Sequence, residues 1–258
     1  MSRADSLWPR EHGAYAELGF PLATGLTLAG PSLSGGCVAL AGLLLFLAHE
    51  PLAVASGARG ARRRLSTAPR AWRRLAMLAA GALAIGVCGI LLGGPEVRTA
   101  VLVPLVPAAA VTPWLLRGRQ KSLLVEILIV AAFACTTVPL VVAGGGSWRL
   151  GWIATAVWFV SFGLGTVAVH GLKLNHKGRP GARPLRIGVL MLGGTACLLG
   201  FVGAAEGHVP LLAPASAVPP VIVACVISVL YVHPRRLQTV GWSLVSANAI
   251  TMICLLPL

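Results

Sequence analysis

The chain has 258 residues, 57% of them hydrophobic and 11% charged, with a mean hydropathy of +0.85 and a formal net charge of +14. A soluble domain carries about a quarter charged residues, and apolar runs recur along the whole length, so the composition excludes a soluble protein. The positive charge raises nucleic acid as a partner, and the placement of the basic residues excludes it.

Nine membrane spans are predicted, at residues 14–30, 34–55, 75–93, 98–116, 122–143, 150–172, 187–205, 211–232 and 238–257, each near the roughly 20 residues that cross the hydrocarbon. With a cytoplasmic N-terminus, the inner segments hold every one of the 21 basic residues except Arg98 and Arg149. That alternation is the positive-inside pattern, and it predicts a periplasmic C-terminus. The expected fold is an all-α polytopic transmembrane helix bundle, with residues 1–258 forming one integral membrane domain.

The N-terminal segment Leu7-Trp8-Pro9-Arg10-Glu11-His12-Gly13-Ala14-Tyr15 is polar and aromatic. It reads as an interfacial anchor through Trp8 and Arg10, or as a lip that carries ligand groups. Glu11, His12 and Glu17 interrupt the region that a cleavable signal would keep apolar. Glu17 lies about one turn inside the first span, where an ionisable residue is a functional candidate.

Span 2 turns polar at His49 and Glu50, and seven arginines follow between Arg59 and Arg74 with no acidic residue to balance them. That segment either lies on anionic headgroups or closes over an anionic ligand. Pro104, Pro107 and Pro113 predict a kinked or broken fourth span, whose exposed backbone groups can bind ions. Glu126 stands about one turn inside span 5, where Thr136, Thr137 and Pro139 mark packing or a kink. In span 6 the small residues Gly163, Gly165 and Ala168 predict close helix approach, and the span exits through His170, Lys173, Asn175 and His176. Asn248, near mid-membrane in span 9, is expected to bond a neighbouring helix. The six cysteines all lie in spans without metal or disulfide spacing.

The segments ending spans 2 and 6 align without a gap at an offset of 121 residues. This superimposes His49 on His170, Gly57 on Gly178, and Gly60-Ala61-Arg62 on Gly181-Ala182-Arg183. The alignment suggests two related halves, residues 14–116 and 122–232, with a last helix at 238–257.

The unusual polar residues gather at the predicted cytoplasmic ends of the spans, and a pocket opening there is the simplest explanation. Its candidate ligand-binding residues are His12, Glu17, His49, Glu50, Arg62, Glu126, His170, Lys173, His176 and Arg183. Histidine with glutamate can ligate a metal, but no diagnostic spacing is present and no metal ligand is assigned. Arginine, lysine and histidine can grip a phosphate. Glutamate and histidine can relay protons or bind a coupled ion in a transporter. Alternatively, these groups pair with one another to fasten helix ends.

Residues Trp8 to Tyr15 resemble the Pro-Lys-Gln-His-Gly-Ala-Trp start of the YwiC-like bacterial membrane proteins, a resemblance that implies a multi-pass protein of the cytoplasmic membrane and no particular activity. The layout also resembles the UbiA-type prenyltransferases, with nine helices, two related four-helix halves and active-site motifs at the inner ends of helices 2 and 6. That resemblance implies a cavity for an isoprenoid phosphate, or another amphiphile with an anionic head. UbiA enzymes hold magnesium on aspartates, whereas this chain has a single aspartate, Asp5, outside both places. That argues against a two-magnesium site and leaves basic groups to hold the phosphate. The alternative is a transporter or channel for a small anion or metabolite.

Overall fold

A computed structural model describes the chain apart from residues 1–6, 10, 11, 119–121, 179, 231 and 233–235, and describes His12 by its backbone alone. The described residues form helices α1 (His12–Leu28), α2 (Leu33–Ala55), α3 (Ala61–Leu92), α4 (Pro95–Ala100), α5 (Leu102–Leu116), α6 (Leu123–Cys135), α7 (Thr137–Ala143), α8 (Trp148–His176), α9 (Ala182–Ala205), α10 (Leu212–Val229) and α11 (Leu237–Leu255), with no strand among them. Eight segments are long and apolar enough to cross a membrane, counting α4 with α5 and α6 with α7 as one each. The apolar α1, at 17 residues, falls one residue short of that length. The protein is therefore a multi-pass membrane protein built as an α-helical bundle.

Proline explains both interrupted segments. Pro104 has no N–H for the carbonyl of Ala100, and the helix breaks at Val101 between α4 and α5. Pro139 likewise leaves the carbonyl of Cys135 without a donor, and the chain breaks at Thr136. The hydroxyls of Thr136 and Thr137 donate back to the carbonyls of Phe133 and Ala134, each at 2.6 Å, so these threonines serve the kink.

The cytoplasmic loops expected after spans 2 and 6 are largely helix. α3 starts at Ala61 rather than near residue 75, and α9 starts at Ala182 rather than near 187. Hydropathy marks only the stretch that sits in hydrocarbon, whereas alanine and arginine favour helix in any solvent. The 32-residue α3 is about 48 Å long at 1.5 Å per residue, so its arginine-bearing first turns stand outside a hydrocarbon layer of roughly 30 Å.

The core lies around α7, α8 and α10. Residues Thr137–Val142 of α7 are all buried, and α1 passes close to them, since a Cβ at Gly25 would come within 2.6 Å of the Leu140 Cβ. α2 and α3 form a tight hairpin in which the Ser34 hydroxyl donates to the Gly89 carbonyl at 2.7 Å. α3, α4 with α5, and α9 are mostly exposed along their apolar stretches, consistent with faces turned to lipid. Of the small residues in α8, Gly163 meets nothing across from it and Gly165 meets the Leu244 side chain at 3.4 Å. Among the glycines of α8 the closest approach to another backbone is instead at Gly151, where a Cβ would lie 3.1 Å from the Val138 Cα.

Candidate functional site

α2, α3, α5, α6, α8 and α9 bring their polar termini to one end of the bundle, the basic end. The tightest constellation there is a clasp around Glu50. The Glu50 side chain is 1% exposed, yet both of its oxygens are engaged. Oε2 accepts from Arg59 Nε at 3.0 Å and Nη2 at 2.6 Å, and Oε1 accepts from Arg63 Nη1 at 3.0 Å. A carboxylate this deeply buried is tolerable only when paired and hydrogen-bonded, and the two arginines supply both.

The turn between α2 and α3 makes the clasp possible. α2 ends at Ala55, and the backbone N–H groups of Gly57 and Arg59 donate to the carbonyls of Val54 and Ala53, folding the turn onto the end of α2. Gly57 and Gly60 both have positive φ. α3 then starts so that Arg63 faces Glu50 while Arg62 points outward and is exposed. Alignment with Arg183 had singled out Arg62. Arg59, in the turn before α3, and Arg63, in the first turn of α3, are the two arginines that reach Glu50.

The N-terminal segment folds over this hairpin. Leu7 is buried with Val54, Ala55 and Ala71, Arg74 places its guanidinium 4.3 Å from the Trp8 ring centroid, and the Tyr15 hydroxyl donates to the Pro9 carbonyl at 3.3 Å. The segment is thus packed on protein. Tyr15 also meets Phe46 edge-on at 5.0 Å, and Phe46 meets Phe133 at 5.7 Å, so an aromatic ladder ties α1, α2 and α6 just below the clasp.

A second pair joins α6 to α8. His170 Nδ1 lies 3.3 Å from Glu126 Oε2, with the side chains 20% and 28% exposed. His49 is half-buried and lines a void of about 10 Å³ with Leu52, Ala53, Ser56, Leu115 and Leu116, room for one water at most. The two histidines thus have different neighbours, α5 for His49 and α6 for His170, and neither void described for the chain is lined by both. Lys173, His176 and Arg183 are exposed, and Glu17 is half-buried on α1. Glu11, Lys121, Arg179, His233, Arg235 and the His12 side chain lie outside the described residues. Among those described, no three His, Cys, Asp or Glu side chains gather in one place.

Two further arginines have structural roles. Arg186 donates through Nε to the Ser228 carbonyl and through Nη2 to the Val229 carbonyl at 2.7 Å, capping α10 where a helix C-terminus favours a cation. At the opposite end Arg149 donates to the carbonyls of His208 and Gly207.

Mid-bundle, Asn248 does not bond a neighbouring helix as expected. Its Nδ2 donates to the Leu244 carbonyl of its own helix at 2.8 Å, and its Oδ1 is buried with no partner among the described residues. Thr24 Oγ1, Trp158 Nε1 and Ser161 Oγ are also buried without a partner there.

No curated protein and no solved structure matches the chain. Residues 8–142, which include the lip, the clasp and Glu126 but end before His170, match the YwiC-like protein pattern over more than half of the sequence, so the chain belongs to the YwiC-like family.

Proposed function

We propose that this protein binds an isoprenoid phosphate or another amphiphile with an anionic head at the cytoplasmic end of a UbiA-like bundle in the bacterial cytoplasmic membrane. The observation that carries this reading is the Glu50 clasp. A buried carboxylate holds Arg59 and Arg63 in one orientation at the end of an apolar hairpin, while both arginines remain 20–25% exposed. Pre-oriented guanidinium groups lose less entropy on gripping a phosphate than free ones do. Arg62, Lys173, His176 and Arg183 lie exposed at the same end and add to the field that draws an anionic head. With both of its oxygens on arginine, Glu50 is a positioning group in this arrangement, and the phosphate is held by cations.

The test is thermal unfolding of the purified protein with geranylgeranyl diphosphate, with and without magnesium. A ligand that binds only the folded state raises the midpoint. The rise is expected in the unaltered protein without magnesium, and it is expected to shrink in the Arg59→Gln/Arg63→Gln variant measured against its own ligand-free midpoint. No rise in either condition would remove the reading.

A second reading, transport of a small anion or metabolite, draws on the buried, unpartnered oxygens of Thr24, Ser161 and Asn248 in mid-bundle, since a path across a membrane needs polar groups at that depth. Uptake into proteoliposomes distinguishes it.

A further inference from the structure

The geometry points to a separate site for a resident anionic phospholipid on the outer face of α5. Ala109, Thr112, Pro113 and Leu116 recur at helical spacing, so they form one stripe, and with Arg117 they line an open groove of about 510 Å³. Val111 is the one buried residue of α5, so the stripe faces the lipid phase. Local sequence makes the trough. Ala109 is small, Pro113 removes the N–H that would bond the Ala109 carbonyl and bends the helix, and Leu116 forms the wall at the basic end. The Thr112 hydroxyl turns back to the Ala108 carbonyl at 2.8 Å, which leaves the trough mainly apolar.

Arg117 closes the groove at the headgroup end. It is exposed, and no carboxylate pairs with it among the described residues. Beyond it the chain turns at Gly118, where a Cβ would lie 3.4 Å from the carbonyl oxygen of Ala58, so the turn preceding α3, which carries Arg59, stands beside the mouth. An apolar trough running into the hydrocarbon, with a cation at its headgroup end, matches an acyl chain with a phosphodiester. A zwitterionic lipid brings its own cation to Arg117, and free phosphate leaves the trough empty. The surrounding bilayer supplies the occupant, and the selectivity resides in Arg117. This site does not depend on the clasp, because it uses other residues and another ligand.

The test is native mass spectrometry of the protein exchanged into equal amounts of phosphatidylglycerol and phosphatidylcholine. One phosphatidylglycerol is expected to survive activation that strips phosphatidylcholine. Arg117→Gln is expected to cut that retention about fivefold, the effect of one arginine at an anionic surface. Arg236→Gln, which removes an exposed basic residue away from the groove, is expected to leave it unchanged. Ala109→Trp fills the trough and is expected to release the lipid with Arg117 still present. If that variant fails to fold, Arg117→Gln decides alone. Equal loss of both lipids from the unaltered protein, or full retention in Arg117→Gln, overturns the site. Loss of retention in Arg236→Gln to the same degree also overturns it, because that reports a general surface charge.

Discussion

Gly60 and Gly181 each hand the chain to a helix that begins at the next alanine, with φ of 103° and 102°, but their ψ angles are 147° and −12°. Positive φ calls for glycine at both places, while the different ψ places Gly60 in a region open essentially to glycine alone and Gly181 in the left-handed region that other residues reach at modest cost. Gly60→Ala is therefore expected to cost about 2–3 kcal/mol, and Gly181→Ala about 1 kcal/mol. Thermal unfolding in detergent measures both. Equal losses would mean that the two turns bear the same strain despite their geometry.

Those two turns also mark how far the sequence could be read. The eight long apolar segments, the kinks before Pro104 and Pro139, and the paired Gly-x-x-Gly turns are local consequences of hydropathy, proline and glycine, and all are visible in the chain. Pairing is not local. Glu50 and the arginine cluster were apparent, but choosing Arg59 and Arg63 over Arg62 requires knowing that α3 starts at Ala61, and a charged stretch carries no hydropathy signal for that start. The partnership of Glu126 with His170 depends on how α6 crosses α8, which no spacing encodes. The α5 groove was foreshadowed only as a broken helix, because proline marks a bend without saying which face of the helix stays uncovered.

The clasp and the α6–α8 pair differ in burial, and their removal should differ accordingly. Glu50→Gln strands two guanidinium groups against a site that is 1% exposed. A fully buried pair broken on one side costs 3–5 kcal/mol; since Arg59 and Arg63 still reach solvent, about 2–3 kcal/mol is expected here. Glu126→Gln, in a pair 20–28% exposed, should cost no more than about 1 kcal/mol. Unfolding midpoints rank the two, and trypsin cleavage after Arg59 to Arg64 should accelerate in Glu50→Gln alone. Comparable small losses would show that the clasp does not organise the turn.

The mid-bundle oxygens lead to a prediction of opposite sign. Ser161 Oγ and Asn248 Oδ1 carry a burial cost with no partner among the described residues to offset it. Ser161→Ala and Asn248→Leu are therefore expected to leave stability unchanged or raise it by up to about 1 kcal/mol. A clear loss in either variant would mean that the oxygen is satisfied in the folded protein by bound water, and would strengthen the case for a polar path through the membrane.

The unequal charge of the two ends predicts an orientation. Arg59, Arg62, Arg63, Arg64, Arg117, Lys173, Lys177 and Arg183 stand at the end where α2 closes and α3 begins. At the opposite end the described basic residues are Arg98, in the short helix α4, and Arg149, whose guanidinium is spent on loop carbonyls. Positive segments near span ends are retained in the cytoplasm, and if α1 crosses together with the eight longer segments, the chain end after α11 is expected on the other side. Alkaline phosphatase fused after Leu258 is expected to be active, because it folds only in the periplasm, and the same reporter inserted after Ala58 is expected to be inactive. The reverse pair of results would invert the bundle and place the clasp outside, where the proposed ligand would have to be delivered from the periplasmic leaflet. Activity at both positions would instead remove a span from the count.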